Sequence, residues 1–195
     1  MHQAPDIWAL VALEDTSTVL YSNVDKKSYE NDTPVKLCNY VDVFANDRIT
    51  NQLNFMAATA TEAEINKFTL MKGDVVFTKD SEDPLEIGVP SFVAEDIPDL
   101  VCGYHLGIAR PHKNILGQYL YFALQTDYMR KQLARSANGI SRFGLGLSEV
   151  RQLNIPLPPL PEQERIVEIL SDADAAIATL QREEELCRTL QTASL

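Results

Sequence analysis

The sequence predicts an α+β fold, in which a β-rich globular domain with one or two packed helices precedes a long C-terminal helix of coiled-coil type. Three patterns support this prediction. Short apolar and β-branched runs, separated by turn residues and prolines, dominate the first half of the chain. A helical repeat of apolar residues follows, and a longer one begins after a proline-rich stretch. We therefore divide the chain into a domain at 1–155, a linker at 156–161 and a helix at 162–195.

Four segments of the globular domain have the character of β-strands, namely 35–40, Val75–Thr78, 88–94 and 101–109. The second of these strands follows a Lys-Gly-Asp turn signal at 72–74. Prolines punctuate the connections between the segments. This punctuation favours a partly irregular β-rich domain over a regular sandwich.

The segment 117–135 predicts one helix, because its apolar residues recur roughly at helical spacing. Its last turn carries three basic side chains, which suit the negative end of the helix dipole. An Asn-Gly pair at 138–139 provides a stop signal. We expect a glycine-bearing loop over 136–146, followed by a short helical turn at 148–152.

The C-terminal segment predicts a helix that starts at Pro161, since proline suits the first helical position and two glutamates occupy the first turn. About 30 residues at roughly 1.5 Å each make a rod of about 45 Å. Its apolar stripe needs a partner surface, and an antiparallel coiled coil or bundle contact is the natural solution. The alternative is that the helix folds back on its own domain. The expected interface residues are Ile166, Ile169, Leu170, Ala173, Ile177, Leu180 and Leu190.

Composition excludes several classes of protein. The 195 residues are 45% hydrophobic, which is enough to bury one core. No apolar run approaches the roughly 18 residues needed to span a bilayer, and the N-terminus lacks the pattern of a signal peptide. The three cysteines, Cys38, Cys102 and Cys187, are few, odd in number and widely spaced. They indicate thiols of a cytoplasmic protein rather than a disulfide framework.

The net charge of -11 argues at first against a nucleic-acid partner. Its distribution changes this interpretation. Residues 1–100 carry a net charge of -11, residues 101–155 carry +5 and residues 156–195 carry -5. A basic block between two acidic ones is compatible with a localised DNA-facing surface, and the acidity elsewhere repels DNA from the other faces.

The stretch 154–170 reads Asn-Ile-Pro-Leu-Pro-Pro-Leu-Pro-Glu-Gln-Glu-Arg-Ile-Val-Glu-Ile-Leu. It resembles the signature that ends each target-recognition domain in type I restriction-modification specificity subunits, where an apolar strand and a proline–leucine linker precede Glu-Gln-x-x-Ile. Two upstream segments share the likeness. Residues 72–78 resemble the Gly-Asp strand of these domains, and residues 135–148 resemble the loop and helix before the linker. The likeness is strong from about residue 115 and thin before residue 70.

The resemblance implies a role in DNA recognition. A full specificity subunit has two such units, whose helices pack antiparallel, and each target-recognition domain reads one half of a split DNA sequence. The helical spacer sets the gap and docks the methylation (M) subunits. This chain departs from that pattern, since it contains one domain and one helix. It is either a half-length subunit that forms a homodimer and reads a symmetric interrupted site, or a fragment. The implied partners are double-stranded DNA, the M subunits and the restriction (R) subunit, with no cofactor.

Candidate DNA contacts are side chains that can read base edges or hold phosphates. The strongest group lies on the loop after the 117–135 helix, for which the alternative is a capped helix end and a turn. A second group follows the strand 75–78, where an ordinary hairpin tip is the alternative. The remaining candidates lie at the end of the strand 35–40 and in or beside the strand 101–109, where the histidine is equally compatible with a structural role. The candidates are Asn39, Tyr40, Lys79, Ser81, Tyr104, His105, Arg110, Arg135, Ser136, Asn138, Ser141 and Arg142.

The alternative classes are an enzyme and a protein-binding module. The sequence lacks a methyltransferase nucleotide-binding loop, an Asn-Pro-Pro-aromatic tetrapeptide and a Walker loop. A zinc site at Cys38, Cys102 and His105 lacks an evident fourth ligand, and nothing marks an activated thiol. We therefore expect no catalytic residues and no metal. The second alternative is an interaction protein or decoy that binds the M subunit through the long helix, which would not need the basic block.

Overall fold

The computed structural model describes residues 8–193, with side chains described for residues 8–189. It confirms the predicted α+β class and the long C-terminal helix. The strands are β1 (Ala9–Ala12), β2 (Ser17–Tyr21), β3 (Thr33–Cys38), β4 (Arg48–Ile49), β5 (Met56–Ala60), β6 (Val75–Thr78), β7 (Asp80–Ser81), β8 (Pro90–Val93), β9 (Leu100–Cys102), β10 (Leu106–Pro111), β11 (Ala137–Gly139), β12 (Phe143–Leu145) and β13 (Asn154–Leu157). The helices are α1 (Leu13–Thr16), α2 (Tyr40–Phe44), α3 (Glu62–Phe68), α4 (Gly117–Leu124), α5 (Asp127–Ser136), α6 (Leu147–Arg151) and α7 (Leu160–Ala193).

A five-stranded sheet with strand order β2-β10-β6-β8-β4 lies at the centre of the domain. One face packs against the three-stranded sheet β5-β3-β9, and the other packs against α4, α5 and α6. Successive residues of β6 alternate between the two cores, because strand side chains point to opposite faces. Val75 and Phe77 join the helix-side core, whereas Val76 joins the sheet-side core. This central strand is therefore buried throughout, as its apolar run indicates.

The two ends of the central sheet differ. Strands β6 and β10 are antiparallel, so that Thr78 at the end of β6 pairs with Leu106 at the start of β10. We call this the hairpin end, because the small sheet β11-β12-β7 adjoins it. The opposite end, where β6 begins and β10 finishes, is called the helix end. There the chain leaves β10 and reaches Leu116, whose N–H contacts α7.

The helix α7 is fastened to the helix end by Gln163, which is fully buried. Its Oε1 accepts a hydrogen bond from the backbone N–H of Leu116 at 2.8 Å. Its Nε2 donates to the carbonyl oxygens of Asn114 at 3.1 Å and Pro158 at 2.9 Å. One side chain thus joins three separate segments, namely the loop after β10, the proline stretch and the long helix.

Further contacts hold the first three turns of α7 beside α4. Gln118 Nε2 donates to Ser171 Oγ at 2.8 Å. Ile166 and Val167 are half-buried and pack against the helix-side core. The beginning of the long helix is therefore part of the globular unit, whereas its large apolar side chains from Ile169 to Leu186 are exposed.

The structure corrects four details of the sequence-based assignment. The expected strand 101–109 is two strands, β9 and β10, separated by a turn at Gly103. The expected helix 117–135 is two helices, because Thr126 caps α5 by accepting from the N–H of Met129. The expected loop 136–146 is largely the β11–β12 hairpin. Part of the expected linker, Pro156 and Leu157, lies within β13 and pairs with β1.

Two broader features complete the description of residues 8–193. No helix in this range combines the length and apolar character needed to cross a membrane. No group of three or more histidine, cysteine or acidic side chains in this range is placed to bind a metal ion. Cys38 and Cys102 are buried on neighbouring strands, and Cys187 is exposed on α7.

Candidate nucleic-acid interface

The hairpin end collects residues that follow several strands. Strands β3 and β9 are parallel, with Cys38 opposite Cys102, so the residues after each of them emerge at the same edge. Tyr40 follows β3, and Tyr104 and His105 follow β9. The backbone N–H of Lys79, just after β6, donates to the carbonyl of His105 at 3.1 Å. Four positions from three separate parts of the sequence therefore share one surface.

The β11–β12 hairpin projects beside these residues. Gly139 adopts φ 147°, and a Cβ there would lie 2.0 Å from the carbonyl oxygen of Arg142. Only glycine fits this position, since the tight return of the chain leaves no room for a side chain. Ile140 at the tip is 97% exposed. Pairing of Phe143 with Ser81 brings the adjacent Arg142 next to β7.

A single carboxylate organises the centre of this surface. Asp80 Oδ1 accepts from Arg142 Nη2 at 2.8 Å, and Asp80 Oδ2 lies 2.7 Å from His105 Nδ1. The Asp80 side chain is only 18% exposed, whereas that of Arg142 is 62% exposed. The hydrogen bond from Arg142 to the Asp80 carboxylate and the negative charge of that carboxylate raise the pKa of the Arg142 guanidinium. The guanidinium therefore stays charged. The ring of His105 also lies against Tyr104, with ring centroids 3.8 Å apart.

An open cleft of about 470 Å³ lies beside the Asp80 carboxylate. Tyr40 stacks on Phe44 along one wall, with ring centroids 5.4 Å apart. Burial raises the pKa of Tyr40, whose hydroxyl is hydrogen-bonded to Ser81. The cleft therefore combines neutral aromatic, cationic and acidic side chains. Its lining residues are Lys26, Tyr40, Val41, Phe44, Asp80, Ser81, Glu82, Glu86, His105 and Arg142.

A second recess adjoins the first and contains Lys79 and Tyr104 beside Ser22, Asn23 and Asp25. The Lys79 ammonium donates to the carbonyl of Ser22 at 3.3 Å. It also lies 5.1 Å from the centre of the Tyr21 ring. Burial lowers the pKa of Lys79. The Lys79 side chain is therefore held by Ser22 and Tyr21, in contrast to the projecting side chain of Arg142.

Comparison with known proteins places the chain in a family. Residues 5–188 match the family described as the type I restriction modification DNA specificity domain. The chain belongs to this family. This finding confirms the resemblance that the 154–170 stretch carries.

Relatives and solved structures agree with this assignment. The specificity domain is 24% identical over 187 residues to a putative type I restriction enzyme MjaX specificity subunit of Methanocaldococcus jannaschii, covering 94% of this chain and 43% of that protein. It resembles a chain from a structure of type I R-M complex assembly (TM-score 0.66) and an HsdS subunit from Thermoanaerobacter tengcongensis (TM-score 0.61). Both are 18% identical, and each match covers 92% of this chain and 41% or 40% of the other. The specificity domain thus spans about two fifths of each relative's length.

The structure separates the sequence-based DNA candidates into two groups. Nine of them lie on or beside the hairpin end. Six line its two recesses, namely Tyr40, Lys79, Ser81, Tyr104, His105 and Arg142. Asn138 and Ser141 belong to the β11–β12 hairpin, and Arg135 lies in the last turn of α5, two residues before β11. Ser136 lies at the end of α5, and its carbonyl accepts from Asn138 Nδ2 at 3.1 Å. Asn39 is buried at the start of α2, where its N–H donates to Asp42 Oδ2 at 2.7 Å.

Arg110 lies away from this surface, at the helix end. Its Nε and Nη2 donate to the two carboxylate oxygens of Asp74, at 2.9 and 2.8 Å, and Nη2 also donates to the carbonyl of Thr69 at 2.8 Å. Asp74 is buried. The guanidinium is therefore part of the domain's internal structure, and only 26% of the side chain is exposed.

Sequence reasoning missed several side chains at the hairpin end. Asp80 belongs to the candidate group after the strand 75–78, but the sequence did not show that its carboxylate holds two other candidates in place. Val41 and Phe44 are exposed on α2, and Leu85 and Ile140 are exposed on neighbouring turns. Phe44 could have been found from its four-residue spacing from Tyr40, since residues at this spacing share a helix face.

The expected helix-interface residues also fall into two groups, one packed on the domain and one exposed. Ile166 packs on the chain's own core. Ile169, Leu170, Ala173, Ile177 and Leu180 are exposed. The side chain of Leu190 lies outside the described residues. At about 100° per residue, Ile169, Ala173 and Leu180 share one face, which is not the face that carries Gln163.

Proposed function

We propose that this specificity domain is a sequence-specific DNA-recognition module that reads one half of a split site for a type I restriction-modification complex. The observation that carries the proposal is the hairpin end, where donors, acceptors and exposed apolar groups from five strand ends converge. Base edges in the major groove present donors, acceptors and a methyl group, and each of these has a complement there. Family membership supports the same conclusion.

The shape of the hairpin end favours a macromolecular ligand over a small one. The cleft is open, and the hairpin that flanks it projects Ile140 and Arg142 outward. A glycine-closed hairpin of this kind can enter a groove about 12 Å wide. We propose the nine candidates at the hairpin end as the DNA surface, while Asn39 and Arg110 serve the structure of the domain.

The helix α7 supports a second role, as a spacer that docks other subunits. Its beginning is fixed to the domain through Gln163, so its direction relative to the DNA surface is defined. Its exposed apolar side chains beyond the first turns support packing against another helix. We propose that the M and R subunits join the complex beside it, that two copies of the chain pair through it, and that the module itself performs no catalysis.

The test of DNA reading is selection from a library of randomised duplexes with the full chain. The expected result is one enriched sequence that binds roughly a thousand-fold or more tightly than random DNA at the same salt concentration. Binding should weaken as salt rises, because phosphate contacts release counterions. Failure to enrich any sequence, with retained binding of a helical partner, would favour the interaction-protein alternative.

A matched pair of double variants locates the surface. Lys79→Ala with Arg135→Ala removes two cations from the hairpin end, whereas Lys72→Ala with Lys113→Ala removes two near the helix end. We expect the first pair to lower the slope of log K against log salt by about two, since each lost phosphate contact lowers it by about one. The second pair should leave the slope unchanged. Equal losses from both pairs would contradict the proposed location.

The pairing proposal is tested by light scattering. The expected mass is twice the 21.8 kDa of one chain. Leu180→Glu places a charge in the exposed stripe and should give monomers. Ala175→Glu adds the same charge on roughly the opposite face of the helix and should leave the dimer intact. A wild-type chain that stays monomeric at every concentration would refute self-pairing. The exposed apolar stripe of α7 would then be expected to bind a helix of a different protein.

A further inference from the structure

We infer that Arg142 reads the guanine of one G·C base pair and that Asp80 is its positioning residue. The inference rests on the proposed DNA-reading function, and it names the base and the side chain responsible. Arginine recognises guanine by two parallel hydrogen bonds to O6 and N7 in the major groove. Such recognition needs a guanidinium that is charged, held in one orientation and still open to a ligand.

Arg142 meets the requirement for a fixed orientation. Its backbone is set by the Gly139 turn, where no other residue fits. Its guanidinium is held at one corner, through Nη2, by a carboxylate that also binds His105 on another segment. The Asp80 carboxylate is itself mostly buried, so it provides a firm support. Holding an arginine in place before binding reduces the entropy that binding would cost.

Arg142 also remains open to a ligand. Within residues 8–189, its guanidinium makes one hydrogen bond, so four of its five N–H groups remain for another partner. Arg110 shows the opposite arrangement. Its guanidinium makes three hydrogen bonds to protein oxygens, and both carboxylate oxygens of its partner Asp74 are engaged with it. Of these two arginine–aspartate pairs, the Arg142–Asp80 pair has the larger number of guanidinium N–H groups that can donate to a ligand.

The charges around Arg142 favour a base edge over a phosphate. Glu82 and Glu86 line the same cleft as Asp80, so a phosphate entering it would meet three carboxylates. A G·C pair presents the guanine acceptors beside the amino group of cytosine in the major groove. An arginine next to carboxylates therefore matches both halves of the pair, because the arginine donates to guanine and a carboxylate accepts from cytosine.

The experiment is randomised-duplex selection with the full chain and four variants, Arg142→Ala, Arg142→Gln, Asp80→Asn and Arg135→Ala, at one fixed salt concentration. The wild type should prefer G·C over other pairs at one position by roughly 5- to 150-fold. Arg142→Ala should abolish that preference and leave the other positions unchanged. Asp80→Asn should reduce the same preference, because the arginine loses its charged support. Arg135→Ala should weaken all sequences equally. Thermal unfolding of each variant checks that the domain remains folded.

The outcomes separate the two proposals. If the wild type enriches a site but Arg142→Ala keeps every base preference and loses affinity uniformly, Arg142 contacts phosphate and the inference is overturned, while DNA reading stands. If Arg142→Gln also retains the G·C preference, the same conclusion follows without reliance on the alanine variant. If the wild type enriches no sequence, the proposed function fails and the inference fails with it.

Discussion

The two ends of the central sheet contain similar polar groups, but these groups differ in burial and in how many of their hydrogen bonds are made to protein atoms. At the helix end, the Arg110–Asp74 pair and the Gln163 amide are satisfied by protein atoms and largely buried. At the hairpin end, the Arg142 guanidinium makes one hydrogen bond, to Asp80, and the rest of it faces solvent. The difference shows how the same side chains serve stability at one end of a domain and recognition at the other.

The geometry of the strands explains this division of roles. At the helix end the chain passes from β10 through Asn114 to α4, and the start of α7 covers that passage. Gln163 and Asp74 are buried there, so their polar atoms need protein partners. At the hairpin end, short turns and a projecting hairpin leave the polar groups accessible. A ligand can therefore complete their hydrogen bonding.

The largest expected difference is between the two arginines. Arg110→Ala leaves the buried carboxylate of Asp74 without its cation, so we expect a loss of about 3 kcal/mol in the free energy of unfolding. Arg142→Ala removes an exposed pair and should cost less than about 1 kcal/mol. Urea denaturation of the two variants, followed by circular dichroism, measures both values. Equal losses would mean that the hairpin end is as structural as the helix end.

The architecture could be predicted from the sequence, but the difference between the helix end and the hairpin end could not. The apolar run at Val75–Thr78 predicted a strand, and the helical pattern after the proline-rich stretch predicted a long helix; both are confirmed. The expected single helix over 117–135 was wrong because Thr126 starts a new helix. The Thr-Asp pair at 126–127 is a typical N-terminal signal, outweighed here by the helical spacing of apolar residues on both sides.

The roles of the polar residues depend on contacts between distant parts of the chain. Arg110 and Arg142 both lie in the basic block, and both were plausible DNA contacts. Their partners are 36 and 62 residues away in the sequence. No local pattern shows that Asp74 fully engages one arginine while Asp80 leaves the other open. The strand pairing that brings β7 beside β12 is equally invisible in a single sequence.

A smaller effect is expected from Gln163, which sharpens the comparison at the helix end. Gln163→Ala leaves the N–H of Leu116 and the carbonyls of Asn114 and Pro158 without their partner. An unsatisfied buried group costs about 1–3 kcal/mol, and some of these groups can recruit water, so we expect a loss of about 2 kcal/mol. The control is Gln181→Ala on the exposed part of α7, which should change stability by less than about 0.5 kcal/mol.

The same variant tests whether Gln163 fixes the direction of the helix. Thiol-directed spin labels at Lys113→Cys in the domain and at Cys187 on α7 report their distance distribution, with the buried Cys38 and Cys102 unlabelled. We expect a narrow distribution in the wild type and a broader one in Gln163→Ala, because the remaining contacts of Ile166 and Ser171 are less directional. A narrow distribution in both would assign the direction of the helix to apolar packing. The helix end would then resemble an ordinary core, and Gln163 would contribute stability alone.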